Sequence, residues 1–114
     1  MNFQRLPSQL IRNFGKELTD KVATLGFPNG FFMRDIPRVF SKKYMNKNPK
    51  QITLVAPDRT EWIVKIKVNP LGYLKFGDGW NYFFRQARLK EGDVCLFELI
   101  RSRSFTLKVW VFSC

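Results

Sequence analysis

With 114 residues, 45% of them hydrophobic and 16% aromatic, the chain can bury the core of one compact domain, which excludes a disordered basic tail. Its 20 Lys and Arg against 9 Asp and Glu give a net charge of +11 and a pI near 10.1, more than solubility requires, and point to a polyanionic partner. Histidine is absent and the only cysteines are Cys95 and Cys114, so a structural zinc site cannot close and the usual apparatus of acid–base or nucleophilic catalysis is missing.

In chain order, Leu6 to Leu18 reads as a short amphipathic helix, with Pro7 in its first turn and Leu10, Ile11, Phe14 and Leu18 at helical spacing. Lys21 to Phe27 reads as a strand and Pro28-Asn29-Gly30 as a turn. Phe31 to Ile36 is extended. Pro37 opens a second short helix with Asp35 near its N-cap, Phe40 and Tyr44 facing the core, and Arg38, Lys42 and Lys43 pointing elsewhere. After a polar loop from Lys47 to Lys50, Gln51 to Val55 is a strand, and Pro57-Asp58-Arg59 turns the chain.

Glu61 to Val68 alternates with period two. Trp62, Val64, Ile66 and Val68 share the face expected to be buried, while Lys65 and Lys67 share the other. Asn69-Pro70-Leu71-Gly72 turns into a strand from Tyr73 to Phe76, and Gly77-Asp78-Gly79 breaks it. A helix follows from Trp80 to Leu89, with Trp80, Phe83, Phe84 and Ala87 on one face and Gly92 as its expected C-terminal cap. Val94 to Ile100 and Phe105 to Ser113 form a closing hairpin through Arg101 to Ser104. In that last strand Phe105, Leu107, Val109 and Val111 make one apolar row, and Trp110 and Phe112 belong to the opposite one. One of the two rows is expected to cover a helix or the N-terminal segment. Short strands with two or three short helices favour an α+β or mainly β barrel over an alternating parallel sheet.

Residues 6–30 also echo residues 36–59: Leu6-Pro7 matches Ile36-Pro37, Leu10 matches Phe40, Phe14 matches Tyr44, and Val22 matches Ile52. Chance similarity and a truncated copy of one unit are both open readings.

Residues 31–60 carry a net +5 and residues 61–90 a net +4, while residues 91–114 are neutral, so the middle of the chain should hold the binding face. Lys65, Lys67 and Lys75 could neutralise phosphates, or could simply form a solvated strand face. Asn69 could pair with an adenine edge, or serve as a turn residue before Pro70. Arg34 and Arg38 suit phosphate better than guanine, and Tyr73 could stack on a base or be structural. Trp62, Trp80, Phe83 and Phe84 lie on apolar faces and are expected in the core rather than on a base-stacking platform. Gly77-Asp78-Gly79 lacks the Lys-Ser/Thr continuation of a phosphate loop. No apolar run approaches the ~20 residues of a membrane span, and both cysteines read as reduced thiols, so a soluble intracellular chain is expected.

The order of landmarks from residue 31 onward resembles the plant-specific B3 DNA-binding domain. The residues that carry the resemblance are Ile36-Pro37-Arg38-Val39-Phe40, Ile52-Thr53-Leu54, Asp58-Arg59-Thr60-Glu61-Trp62, Phe76-Gly77-Asp78-Gly79-Trp80, Phe83-Phe84, Leu89-Lys90-Glu91-Gly92-Asp93 and Leu96-Phe97-Glu98-Leu99. The closing stretch is most similar to the reproductive-meristem and vernalization-type subgroup. The resemblance implies a seven-stranded open β-barrel with two flanking short helices, docking in the DNA major groove through two arms. The second arm would fall near Lys65, Lys67, Asn69, Tyr73 and Lys75, and the first just before Ile36, near Arg34 and Arg38. The chain departs from the family pattern where Phe31-Phe32 stands close before Ile36-Pro37. Either the first arm is nearly absent, or Lys21–Phe27 supplies the first strand and Pro28-Asn29-Gly30 a shortened arm.

The expectation is therefore a mainly β (α+β) pseudobarrel over residues 31–114, with a helix–strand extension over residues 1–30. Its partner would be double-stranded DNA, in the nucleus, in regulation of transcription and possible contact with other chromatin or transcription proteins. No enzyme activity, cofactor, metal, small-molecule substrate or membrane is expected. An RNA or single-strand binder, and a degenerate barrel serving protein contacts, are the alternatives.

Overall fold

Apolar side chains at every second position, separated by turn residues, build this molecule mostly from short strands. The computed structural model describes residues 5–7, 22–26, 35–90 and 92–113. In chain order they form β1 (Arg5–Pro7), β2 (Val22–Gly26), α1 (Arg38–Tyr44), β3 (Gln51–Val55), β4 (Glu61–Val68), β5 (Leu74–Phe76), α2 (Trp80–Gln86), β6 (Val94–Arg101) and β7 (Thr106–Ser113). The strands join in one sheet of seven, in the order β2-β6-β7-β3-β4-β5 with β1 beside β7. β7 organises it. β6 runs antiparallel along one edge, and the other edge is shared by β3, parallel at Thr106–Lys108, and β1, parallel at Val111–Ser113. The segment before α1 meets the far end of the sheet, where Asp35 bridges Lys75 and the Ile36 N–H donates to the Leu74 carbonyl at 3.0 Å. The result is the expected mainly β architecture, a sheet curled into a half-barrel with two short helices.

The interior is aromatic. Trp80 is fully buried, stacked on Phe76 at 4.5 Å between ring centroids with 8° between planes, and it also meets Phe83, Phe84 and Phe97. Cys95, Phe97 and Leu99 of β6 stand beside Val111, Val109 and Leu107 of β7 in cross-strand register, all turned into this core. On the opposite face of the same two strands Leu96, Trp110 and Phe112 form a second, smaller cluster, joined by Leu6 of β1 and by Val94. The Trp110 row thus meets the N-terminal segment. Cys95 is a buried thiol, and Cys114 lies outside the described residues. In the β3–β4 turn the Asp58 carboxylate accepts the Thr60 N–H at 3.0 Å, which holds its pKa below the ordinary carboxylate value.

Three local expectations are corrected. Leu6 and Pro7 do not start a helix. They lie in β1, where Leu6 pairs with Phe112 and packs on the outer cluster, while residues 8–21, with Leu10, Ile11, Phe14 and Leu18, lie outside the described residues. Asp35 does not cap α1. The N-cap is Pro37, without a side-chain cap bond, and Asp35 is held in its bridge to Lys75. Gly92 does not end α2, which stops at Gln86. Arg88 takes the left-handed conformation (φ 53°), its N–H bonds the Arg85 carbonyl at 3.1 Å, and the Leu89 N–H reaches back to the Phe84 carbonyl at 3.1 Å. This is the paired bonding of a Schellman cap with arginine in the usual glycine position. Gly92 (φ 89°) serves the next turn, where Asp93, almost fully buried, accepts the Lys90 N–H at 3.0 Å.

Candidate nucleic-acid interface

β4 and β5 form a two-stranded ribbon in which Lys67 stands directly opposite Lys75 and Val68 opposite Leu74. β3 flanks β4 on its other side, with Gln51 opposite Lys65. Alternation turns Trp62 and Val64 into the core and leaves Lys65, Lys67 and Lys75 exposed on one outer face. The inward row does not stay buried as its period predicts: Val64 is fully covered, Ile66 half-buried and Val68 47% exposed. The outer end of β4 thus rises from the core and carries the turn with it.

Three features fix the charges on this ribbon. The Lys65 Nζ donates to Gln51 Oε1 at 3.0 Å. The aliphatic stem of Lys67 lies over Gly77, where a Cβ would come within 3.0 Å of both Lys67 Cγ and Cε. The Arg38 guanidinium, arriving from α1, sits 4.1 Å from the centre of the Tyr73 ring, a cation–π contact that ties α1 to the end of the ribbon. Lys67 and Lys75 are like charges in direct cross-strand register, an arrangement that costs stability and that an anion between them would relieve. Gly77→Ala should fold normally, because Gly77 is not among the positive-φ glycines and the obstructing atoms belong to a flexible side chain. It should push the Lys67 stem aside and weaken duplex binding about two- to fivefold in a fluorescence anisotropy titration, on the scale of a partly lost phosphate contact. Unchanged affinity would show that the position of Lys67 over Gly77 is irrelevant.

A profile of the B3 DNA binding domain family matches residues 28–114. The chain belongs to the B3 DNA-binding domain family. It is 38% identical over 77 residues to the B3 domain-containing transcription factor VRN1 of Arabidopsis thaliana, a match covering 68% of this chain and 22% of that protein. It is 32% identical over 66 residues to the B3 domain-containing protein REM-like 1 of the same plant, covering 57% of this chain and 8% of that one. The chain therefore spans less than a quarter of the length of either relative. Among solved structures, a hypothetical Arabidopsis thaliana protein superposes with a TM-score of 0.62 at 19% identity, covering 81% of this chain and 89% of that one, a likeness of fold. The B3 domain is a DNA-binding module and not an enzyme. No helix among its described residues is long and apolar enough to cross a membrane.

Of the residues singled out from the sequence, Lys65, Lys67 and Lys75 share one face of this B3 domain, Asn69 and Tyr73 lie in the turn at its end, and Arg38 is docked on Tyr73. Arg34 lies outside the described residues. Asn69 builds the turn: its Oδ1 accepts the N–H groups of Leu71 and Tyr73, each at 2.9 Å. Both lone pairs of that oxygen are engaged, so it has none left for an adenine amino group. Two features went unseen in the sequence. Leu71 projects at the apex of the turn, 75% exposed. A cleft of about 220 Å³ separates α1 from the turn, lined by Arg38, Lys42, Asn46, Asn48 and Gly72 among others. Lys42 had a signal in its helical position, one turn after Arg38. The placement of Leu71 depends on the ribbon leaving the core, for which alternation gives no cue.

Proposed function

We propose that this domain grips double-stranded DNA through the outer face of the β4–β5 ribbon and contributes to regulation of transcription in the nucleus. The observation that carries the proposal is the like-charged register of Lys67 and Lys75, with Lys65 on the same face and Arg38 held at the turn by Tyr73. Ammonium groups on a rigid ribbon neutralise phosphates and release counterions, giving affinity that falls steeply with salt. A two-stranded ribbon also has the width that the major groove admits. In this scheme Lys65, Lys67, Lys75 and Arg38 hold the backbone, Tyr73 orients Arg38, Asn69 shapes the turn, and Arg34 stands in the segment leading to Asp35 as a further phosphate contact. The single-strand alternative needs aromatic rings on an open sheet face, but Trp62, Trp80 and Phe83 are buried in the core.

The test is anisotropy with duplex DNA, single-stranded DNA and RNA over a salt series. The five proposed phosphate contacts predict a slope of log affinity against log salt of about −4.5, and Lys65→Ala/Lys67→Ala should make it shallower by about 2. Absence of duplex binding at low salt, or a clear preference for single strands, would overturn the proposal.

A further inference from the structure

The turn that ends the ribbon is unusual in what it offers to a partner. Within residues 69–73 each backbone N–H is already used. The Asn69 N–H donates to the Tyr73 carbonyl at 2.9 Å, the Gly72 N–H to the Asn69 carbonyl at 2.9 Å, and the N–H groups of Leu71 and Tyr73 to Asn69 Oδ1. Pro70 has no N–H to give. The apex is thus rigid, contains no cationic side chain, and has its backbone donors spent. What it presents is the side chain of Leu71, 75% exposed, with the half-exposed Val68 behind it and the cations Lys67 and Lys75 on the strands leading to it. A large apolar side chain held in water on a fixed loop, at the head of a basic ribbon, is placed to meet an apolar group on a polyanion.

In the major groove the one apolar group on a base edge is the C5-methyl of thymine, a group that 5-methylcytosine also carries. We propose that Leu71 is a specificity-determining residue that packs against pyrimidine C5-methyl groups, so that the domain favours duplexes bearing them. The inference rests on the ribbon gripping duplex DNA in the major groove as proposed above. It adds that base discrimination at the apex is made by apolar contact and not by hydrogen bonds.

The experiment separates the two. One duplex is prepared in three forms: with thymine, with every thymine replaced by deoxyuridine, and with deoxyuridine plus 5-methylcytosine in place of cytosine. The first substitution removes only the methyl groups and leaves phosphates and pairing edges unchanged. Burying one methyl group corresponds to about fourfold in affinity. The thymine duplex should therefore bind the native chain about fourfold more tightly than the deoxyuridine duplex, with 5-methylcytosine restoring much of the difference. Leu71→Ala should bind all three alike, with the salt slope unchanged, because no phosphate contact is lost. Thermal unfolding of Leu71→Ala should match the native chain, since the side chain is mostly in solvent. Equal binding of thymine and deoxyuridine duplexes by the native chain overturns this inference while leaving the phosphate grip intact. A methyl preference that survives in Leu71→Ala also overturns it, as does a loss in Leu71→Ala of DNA bending with no loss of methyl preference, which would mark Leu71 as a wedge between base steps. Failure of every duplex to bind at low salt overturns the grip itself.

Discussion

Replacing Lys67 with glutamate should move DNA affinity and stability in opposite directions. Lys67 faces Lys75 across the β4–β5 register, so Lys67→Glu turns a like-charged cross-strand pair into an opposite one. Both side chains are exposed, and after solvent screening the gain is a few tenths of a kcal/mol, about 0.3, with no loss of cooperativity in denaturant unfolding. The same change removes one phosphate contact and sets a carboxylate against the DNA backbone. Affinity at low salt should fall about tenfold or more, and the salt slope should become shallower by at least about 1. Lys67→Glu/Lys75→Glu makes a like-charged pair again and also sets a carboxylate opposite Asp35, so stability should fall to or below the native value while binding falls on the order of 100-fold. Ordinary structural charges would behave otherwise, since their mutation changes stability and leaves affinity alone. Native-like affinity in Lys67→Glu would take the ribbon out of the interface.

Much of this arrangement could be read from the chain because its cause is local. The alternation in β4 is a local pattern, and it gave the strand bounds Glu61–Val68 and the shared face of Lys65 and Lys67. The spacing of Trp80 and Phe83 is also local, and both side chains are fully buried. Asn69 had two open readings, and its two bonds to the turn favour the structural one. The misread elements are those decided by distant partners. β1 is three residues long and exists because Leu6 finds Phe112 and the outer cluster on β7, so its composition carries no strand pattern of its own. The end of α2 reads as Gly92 because glycine is the usual left-handed residue, whereas Arg88 adopts that conformation and closes the helix with its own backbone bonds. The contact of Arg38 with Tyr73 joins residues 35 positions apart, and the exposure of Leu71 follows from the ribbon rising off the core. Periodicity assigns a face to each residue of a strand but does not say where the strand leaves the core.

The largest loss of stability from removing no contact at all is expected at Gly79. This glycine is the N-cap of α2, with φ 97°, a conformation that a side chain disfavours by roughly 1–2 kcal/mol. It is also pressed against β4: a Cβ there would overlap the Ile63 carbonyl oxygen and lie 3.2 Å from Val64 Cα, both backbone atoms of a central strand. Neither neighbour can swing aside, because the Lys65 N–H bonds the Asp78 carbonyl at 2.7 Å and the Gly77 N–H bonds the Lys65 carbonyl at 2.7 Å, clamping the two segments together. Gly79→Ala should therefore cost at least about 3 kcal/mol, the sum of the conformational term and overpacking, and lower Tm by more than about 10 °C in a domain of this size. Gly72 provides the internal comparison. Its φ is 85°, but a Cβ there meets nothing within 4 Å. Gly72→Ala should cost only about 1 kcal/mol, and Gly72→Asn less, since asparagine tolerates the left-handed region. Asparagine at position 79 should not rescue, because its Cβ meets the same strand backbone as alanine's does. Equal losses for Gly72→Ala and Gly79→Ala would mean that φ alone governs both positions. A larger loss at Gly79 that asparagine fails to repair would show instead that the close approach of the α2 entry to β4 holds the ribbon's inner end on the core.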